Sequence, residues 1–473
     1  MVRTRIAPSP TGQDFHIGNA YTALINYIFA KQNKGRFIVR IEDTDRTRLV
    51  EGSETRILNT MNWLGLTPDE GPYRQSERKE LYKKYALELI NNGHAYYCFC
   101  TPQRLTEVRN QMQKQGKPPM YDGFCKKIKN SPRASLDESR RGEAGQKYVI
   151  RLNVPDEGET NFNDLIRGKV SFQNKLIDDQ ILLKSDGFPT YHLAVVVDDY
   201  LMKISHVIRA EEWLSSTPKH ILLYNAFKWP LPFFAHLPIL RNPDKSKLSK
   251  RKNPVWVSYY REQGYLPEAI NNYLMTLGWT HPKQLTIFPL SEAILEFSFD
   301  RVNKSGPIFD VVKLTWMNGE YIRMMNNEEL ADKLYSYMNK KFDRKLLLLV
   351  SSLLKQRIKK LSEAEGLIDF FIKKPDVDLK VLIPKKRDSQ QAKKVLNEVI
   401  QDYMGLNNWS TASIHDLGNK IVEKSRWKPV ELFQMIRVAI SGKTVTPPLF
   451  ESMEILGKEE TINRLETALR NIS

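Results

Sequence analysis

The stretch VRTRIAPSPTGQDFHIGNAYTALINYIFAKQNKGRFIVRIEDTD, residues 2–45, decides the fold. Apolar or threonine side chains alternate with arginine over residues 2–6, which is the period of a strand, and two prolines then end it. A helical pattern follows and ends near Gly35, and a second apolar run covers residues 37–41. Strand, helix and strand in this order predict a parallel βαβ unit.

Ligands of parallel α/β sheets bind beyond the carboxyl ends of the strands. In this chain, residues 8–18 and 42–45 follow the first two predicted strands. We therefore expect the binding site to lie where these two segments meet.

Working outward, the composition changes over residues 90–185, where lysines, prolines and short polar stretches predict an insertion. The α/β pattern returns with a strand-sized apolar run at 193–197 and a short strand at 206–208. After about residue 325 the apolar residues follow a helical period. The expected fold is a split α/β domain followed by an all-α region.

The chain has 473 residues, which at roughly 150 residues per domain suggests about three domains. Lys and Arg total 72 and Asp and Glu total 55, so the net charge of +17 favours a polyanionic partner, either nucleic acid or an anionic membrane. A lysine-rich soluble protein is the alternative. No apolar run approaches the ~18 residues of a membrane span, and the first residues lack a secretory apolar core, which predicts a cytoplasmic protein.

Two short motifs carry chemistry. The first is HIGN at residues 16–19, between the first strand and helix, and the second is KLSKR at 247–251. Gly18 at a helix N-terminus lets backbone N–H groups approach phosphate, and His16 can donate to it. Lysines on a loop can neutralise charge on a transferring phosphoryl group. The phosphate-loop pattern GxxxxGK[ST] and the dinucleotide pattern GxGxxG do not occur.

Together these motifs resemble those of class I aminoacyl-tRNA synthetases. Further segments are similar to the bacterial glutamyl-tRNA synthetase family: RIAPSPTG at 5–12, FIVRIEDTD at 37–45, PYRQS at 72–76, PTYHL at 189–193, VIRAEEW at 207–213 and WMNG at 316–319. The similarity covers most of the chain and is densest before residue 325.

The resemblance implies a Rossmann-like parallel sheet with an inserted acceptor-binding domain, followed by an all-α anticodon-binding region. The implied divisions are a first catalytic half (1–90), the insertion (91–186), a second catalytic half (187–246), a stem-contact domain carrying the KLSKR loop (247–325) and the helical region (326–473).

It also implies glutamate–tRNA ligase activity: ATP- and Mg²⁺-dependent formation of glutamyl-adenylate, then transfer to the terminal ribose of tRNA(Glu) in translation. Glu42 would bind the substrate ammonium, and Arg5 and Arg209 its carboxylates. The remaining implied glutamate contacts are Ala7, Ser9 and Tyr191. Val195 stands where some members have asparagine, which removes one hydrogen bond to the substrate.

The implied catalytic residues are His16, Gly18, Lys247 and Lys250. The implied ATP contacts are these four with Glu212, Trp213, Leu248, Ser249 and Arg251. No protein nucleophile is required, because positioning and charge stabilisation suffice for both steps.

All three cysteines, Cys98, Cys100 and Cys125, lie in the insertion. Zinc needs four ligands. Some family members supply a histidine where this chain has Lys127, but a tRNA-modifying paralogue uses a tyrosine, which corresponds to Tyr121 here. We expect zinc on three cysteines and Tyr121, with three reduced, unliganded thiols as the alternative.

The helical region is expected to bind tRNA, and the resemblance suggests Arg357 for reading an anticodon base. Whether tRNA(Gln) is a second substrate stays open, and a monomer is expected. The alternatives are the tRNA-modifying paralogue, which lacks a C-terminal half, glutaminyl-tRNA synthetase, whose C-terminal part is a β-barrel, and a catalytically inactive RNA-binding relative.

Overall fold

The computed structural model describes residues 1–129, 147–248 and 254–472. The chain forms two compact units. The first comprises Met1–Tyr260 with Ile270–Val311, and the second comprises Arg261–Ala269 with Val312–Ser473. Among the described residues, none of the helices is both long and apolar enough to cross a membrane.

The strands all belong to the first unit. They are β1 Arg3–Ile6, β2 Arg36–Ile41, β3 Glu70–Arg74, β4 Ala95–Cys98, β5 Val149–Leu152, β6 Glu159–Asp164, β7 Gly168–Gln173, β8 Ile181–Leu183, β9 His206–Ala210 and β10 Phe233–Leu237.

The α-helices up to residue 324 are Ile17–Gln32, Ser53–Trp63, Lys79–Asn91, Pro102–Lys114, Phe124–Lys129, Tyr191–Leu201, Thr217–Ala226, Val257–Glu262, Pro267–Gly278, Leu290–Glu296 and Val311–Met324. Short 3₁₀ turns at Arg46–Arg48, Gln75–Arg78, Asn174–Leu176, Glu211–Ser216 and Phe299–Arg301 connect several of these elements.

The predicted βαβ unit is confirmed. Strands β1 and β2 pair in parallel, with Arg5 opposite Ile38, and the helix Ile17–Gln32 connects them. Strand β3 extends this sheet in parallel on the other side of β2. The carboxyl ends of β1 and β2 therefore meet at one edge, and the backbone N–H of Glu42 donates to Pro8 O at 3.0 Å there.

Arg209 lies on a different hydrogen-bonded sheet from Arg5 and Glu42. Strand β9 belongs to a four-stranded sheet in the order β7-β6-β10-β9. The edges of β1 and β9 still touch, because the N–H of Ser205 donates to Arg3 O at 3.0 Å. The two sheets thus lie side by side at this edge.

The apolar run 193–197 is helical, so its interpretation as a strand was wrong. It lies within the helix Tyr191–Leu201 and is buried in one core cluster, with Val195 only 2% exposed. A helix that is buried on most faces shows a continuous apolar run, which periodicity alone cannot distinguish from a strand.

A small antiparallel sheet in the order β4-β5-β8 lies in the insertion, and the hairpin of β6 and β7 joins the sheet of β9 and β10. The proposed boundaries at 90 and 186 stay a prediction.

The second unit is helical in its described residues, as expected. After Val311–Met324 its helices are Asn327–Tyr337, Arg344–Leu354, Ser362–Ile368, Leu379–Leu382, Ser389–Met404, Thr411–Ser425, Pro429–Ser441, Leu449–Leu456 and Lys458–Asn471, with a 3₁₀ turn at Asp369–Phe371. Capping boxes begin two of them, at Asn326 and Asp388.

Candidate active site

His16 is the N-cap of the helix Ile17–Gln32. Its Nδ1 accepts the backbone N–H of Gly18 at 3.0 Å, which leaves the ring proton on Nε2 in the neutral form. A Cβ at position 18 would lie 3.2 Å from that Nδ1. Glycine at 18 therefore makes room for the imidazole cap, which fixes the ring at the mouth of the turn.

A cavity of about 340 Å³ opens beside this cap. It brings together six of the residues predicted for the site: Ser9, His16, Gly18, Glu212, Lys247 and Leu248. The other side chains of its wall include Thr11, Asp14, Asn19, Tyr21, Thr22, Ile57 and Trp256. Its size lies within the range of small-molecule sites.

Asn242 shapes the loop that carries Lys247. Its side chain is fully buried, and its Nδ2 donates to Lys247 O at 2.9 Å and to Ser246 Oγ at 3.0 Å. Lys247 forms an ion pair with Glu212 across the cavity, although its side chain is 64% exposed. Ser249, Lys250 and Arg251 lie outside the described residues. Asn242 was not among the residues predicted for the site, and the position of Asn242 shortly before KLSKR is the only signal in the sequence.

Arg5 is buried and held by a carboxylate. Its Nε and Nη2 donate to the two oxygens of Asp199 at 3.0 and 3.2 Å. Asp199 also accepts from Arg40 Nη1 at 2.7 Å, and Arg40 is fully buried. Arg40 and Asp199 were missed in the sequence, where the signal is an arginine inside the buried strand FIVRI.

Glu42 lies near both arginines. Its Oε1 is 3.6 Å from Arg40 Nη2, and this buried oxygen makes no hydrogen bond with the described residues. Burial raises the pKa of Glu42 to about 7, although Arg40 and Arg5 act in the opposite direction. Binding of a cation beside Glu42 would therefore favour the ionised form of this carboxyl group.

Arg209 is 5% exposed and donates from Nη1 to the Tyr191 hydroxyl at 3.1 Å. The Trp213 ring packs on Tyr191 with centroids 4.3 Å apart, so Trp213 lies on this side rather than along the cavity wall. Arg209, Glu42 and Arg5 all act on the pKa of Tyr191, which burial raises. The phenol thus contacts Arg209 directly, and its pKa also responds to the charges of Glu42 and Arg5. Ala7 follows β1 in the same segment.

The three thiols of the insertion form one cluster, with sulfur atoms within 4.8 Å of one another. The Tyr121 hydroxyl oxygen lies 3.4 Å from Cys100 Sγ and 3.6 Å from Cys98 Sγ, and it accepts the backbone N–H of Cys125 at 2.8 Å. Lys127 is exposed.

Arg357, in the second unit, is exposed and follows the helix Arg344–Leu354. Burial and the charge of Arg357 lower the pKa of Arg437. Arg437 donates to Thr446 Oγ1 at 2.6 Å. Two positive charges that act on each other in this way favour the binding of an anion.

The chain is similar to known proteins over nearly its whole length. The family model described as tRNA synthetases class I (E and Q), catalytic domain, matches residues 1–316, and the anticodon binding domain matches residues 329–469. The chain is 45% identical to a glutamate–tRNA ligase of Acidothermus cellulolyticus, over 99% of this chain and 95% of that protein. It is 44% identical to one of Acinetobacter baylyi, over 99% and 93%.

A crystal structure of a glutamate tRNA ligase from Elizabethkingia meningosepticum, in complex with its amino acid, superposes with a TM-score of 0.87 at 35% identity and covers both chains completely. The chain therefore belongs to the glutamate–tRNA ligases, a family of class I aminoacyl-tRNA synthetases that use ATP and Mg²⁺.

Proposed function

We propose that the buried charges described above bind glutamate for its ATP-dependent attachment to tRNA. Glu42 accepts the substrate ammonium, Arg5 and Arg209 bind its carboxylates, and Tyr191 contributes its hydroxyl group. Ala7 and Ser9 add backbone and polar contacts along the segment after β1. The observation that carries this assignment is geometric: Arg209 lies 3.1 Å from the Tyr191 hydroxyl, and Arg40, which is 3.6 Å from Glu42, shares Asp199 with Arg5.

In the first step, a carboxylate oxygen of glutamate attacks the α-phosphorus of ATP, and the bond to the β-phosphate oxygen breaks. Pyrophosphate leaves with the electron pair, and glutamyl-adenylate remains. His16, Gly18, Lys247 and Lys250 stabilise the developing charge. Mg²⁺ bound to the phosphates would neutralise part of their charge.

The cavity beside the His16 cap supports ATP binding there, because it is lined by Gly18, Glu212, Lys247 and Leu248. We infer that Trp213, Ser249 and Arg251 complete the ATP contacts. In the second step, a hydroxyl group of the terminal tRNA ribose, the 2′-hydroxyl by analogy with class I, attacks the activated carbonyl carbon and AMP leaves.

Pyrophosphate exchange in the presence of glutamate and tRNA tests the activation step. We expect exchange that depends on both, and silence in this assay would contradict the proposal. Lys250→Ala should slow adenylate formation far more than it weakens ATP binding. Charging of purified tRNA(Glu) and tRNA(Gln) then decides whether both are substrates.

We also propose zinc on Cys98, Cys100, Cys125 and Tyr121. If zinc binds sulfur tetrahedrally with bonds of about 2.3 Å, the sulfur atoms lie about 3.8 Å from one another. The Cys100 and Cys125 sulfurs are 3.6 Å apart, and the Tyr121 oxygen lies at similar distances from two sulfurs. The Cys125 N–H that bonds this oxygen favours the phenolate. Zinc here would stabilise the insertion.

Metal analysis of protein purified without chelators tests this site, and stoichiometric zinc is expected. Tyr121→Phe should weaken zinc binding by about tenfold or more, whereas Tyr148→Phe, at an exposed phenol of the same insertion, should not. Substoichiometric zinc that mild dialysis removes would contradict the proposal.

For the second unit, we propose that Arg357 contacts an anticodon base of tRNA, supported by its exposure and by the nearby Arg437. We further infer a cytoplasmic monomer with the five divisions given above. Gel filtration with light scattering tests the monomer.

A further inference from the structure

Arg209 differs from the other buried arginines of the glutamate site in the kind of partner that holds it. Asp199 binds Arg5 through two hydrogen bonds, so a carboxylate compensates that charge. Arg209, in contrast, contacts neutral acceptors and forms no ion pair with any of the described residues. Its charge remains available to a substrate carboxylate.

A guanidinium has five N–H donors, and here all are engaged. Nε donates to His236 Nε2 at 3.1 Å. Nη1 contacts the Tyr191 hydroxyl at 3.1 Å and His220 Nδ1 at 3.2 Å. Nη2 donates to Thr217 Oγ1 at 2.8 Å and to Trp213 O at 3.4 Å. Five acceptors fix the plane of the guanidinium, which removes the rotational freedom of a long side chain.

His236 can accept this hydrogen bond only as the Nδ1–H tautomer, and Asp164 enforces that tautomer. Asp164 Oδ2 lies 2.6 Å from His236 Nδ1, so the ring proton is held there and Nε2 presents its lone pair to Arg209. Both side chains are fully buried. Burial lowers the pKa of His236, although Asp164 acts in the opposite direction, so the ring stays neutral at physiological pH.

His220 is oriented in the opposite sense. Its Nδ1 faces Arg209, and its Nε2 lies 3.1 Å from His192 Nδ1. The proton of His220 is therefore on Nε2, directed at His192. Burial holds the pKa of His220 well below its usual range and lowers that of His192 to about 3, so both rings are neutral.

We propose that His236 and His220 are positioning residues that orient Arg209 toward the substrate carboxylate without neutralising its charge. Asp164 contacts His236 and His192 contacts His220, and each fixes which nitrogen of that ring accepts from Arg209. Because all five donors are engaged, Arg209 acts on the carboxylate through its charge and through the Tyr191 hydroxyl, which accepts from Arg209 and can donate its own hydrogen to the carboxylate. This proposal rests on the role assigned to Arg209 above, and it adds how that cation is held in a buried site: by neutral imidazoles, which leave its charge for the substrate carboxylate.

The two tautomers permit a crossed experiment, because an asparagine amide can replace Nδ1 and a glutamine amide can replace Nε2. His236→Gln and His220→Asn keep an acceptor for Arg209. His236→Asn and His220→Gln instead keep only the outer contact, to Asp164 or His192. We expect the glutamate KM to rise by about tenfold or more in the second pair and to stay near wild type in the first. The ATP KM and the Tm should not follow this pattern.

His220→Asp is isosteric with His220→Asn but adds a carboxylate beside Arg209. It should raise the glutamate KM well above that of His220→Asn, because the added carboxylate neutralises the charge that Arg209 presents to the substrate. Equal KM values in these two variants would overturn the role of the uncompensated charge.

Arg209→Ala separates this inference from the proposed function. A raised glutamate KM in Arg209→Ala, without the crossed pattern at the histidines, overturns the positioning role alone. An unchanged glutamate KM in Arg209→Ala overturns both the proposed contact and the inference. Sensitivity of both histidine positions that simply tracks Tm would show a structural role and likewise overturn it.

Discussion

Two parts of the site differ in how far their charges are exposed to water. On the side proposed for glutamate, Arg5 is 3% exposed and Arg40 is 0% exposed. At the cavity beside His16, the side chains of Lys247 and Glu212 are 64% and 42% exposed. Asp199 holds both buried arginines through hydrogen bonds, and Lys247 and Glu212 form an ion pair with each other. Charge in a dry site discriminates strongly because water cannot replace a missing partner. A charged side chain at a hydrated surface can change its conformation to contact a ligand that is itself highly charged.

The largest effect is expected for Arg5→Ala, which removes a buried cation. Glutamate activation should fall by about 1,000-fold or more, since one carboxylate loses its charge-assisted bonds in a desolvated site. The fold should persist, because Arg40 still pairs with Asp199 at 2.7 Å. Pyrophosphate exchange measures the activity, and circular dichroism checks the fold.

Arg3→Ala is the matched control for Arg5→Ala. Arg3 lies on the same strand and also forms a bidentate pair, with Glu70 at 2.7 and 2.8 Å, but at the partly exposed edge. Its loss should leave the glutamate KM nearly unchanged. Wild-type kinetics in Arg5→Ala would refute the assignment of Arg5.

Lys247→Ala tests the exposed side. The rate of adenylate formation should fall by about 100-fold, with a smaller change in ATP binding, because the ammonium acts on charge that develops during transfer. Single-turnover kinetics measure the rate, and ATP titration measures the affinity. Lys245→Asn serves as control, since Lys245 is exposed on the same loop and asparagine tolerates its φ of 65°.

Equal losses of rate and ATP affinity in Lys247→Ala would contradict a transition-state role. They would also weaken the distinction drawn between the two sides, because Lys247 would then act as an ordinary binding charge.

The pH dependence of the glutamate site should be measurable through Glu42. Burial raises the pKa of Glu42 to about 7, so the carboxylate that we propose for ammonium binding forms as pH rises. kcat/KM for glutamate should rise by about tenfold between pH 6 and 8 and level off above. Because the folded-state pKa exceeds 4.5, the free enzyme should also lose stability as pH rises through 7.

Glu42→Gln should abolish this rise together with most of the activity, and the exposed Asp45, whose pKa is lowered by Arg48, should contribute nothing to it. A wild-type profile that is flat from pH 6 to 8 would show that Glu42 is already ionised, and that its buried setting does not control ammonium binding.

The sequence predicted the parts of this site whose chemistry is local. The period of residues 2–6 and 37–41 predicted two strands, and the motif between them predicted that Gly18 lies at a helix N-terminus, because both depend on neighbours in the chain. The helix Tyr191–Leu201 was mistaken for a strand, since it is buried on most sides and loses its polar face.

Long-range partners could not be predicted in the same way. Asp199 lies 194 residues from Arg5, and Asp164 reaches Arg209 only through His236. A single carboxylate or imidazole in a sequence has no pattern that indicates its partner. The residues proposed to contact the substrate could thus be predicted from motifs and family resemblance, whereas those that hold them in place required the folded structure.

The smallest effect on glutamate activation is expected for Arg357→Ala, because Arg357 belongs to the second unit and is exposed there. The glutamate KM should not change, while the tRNA KM should rise by about tenfold, as for the loss of one base or phosphate contact. Lys420→Ala, at an exposed lysine of the same unit, controls for general loss of positive charge and should cause a small, salt-sensitive change. If the two variants weaken tRNA equally and with the same salt dependence, Arg357 binds phosphate rather than a base. If instead only Arg357→Ala alters the ratio of charging between tRNA(Glu) and tRNA(Gln), an exposed charge discriminates as sharply as the buried ones. Selectivity then depends on which group of the ligand each charge contacts, rather than on exclusion of water alone.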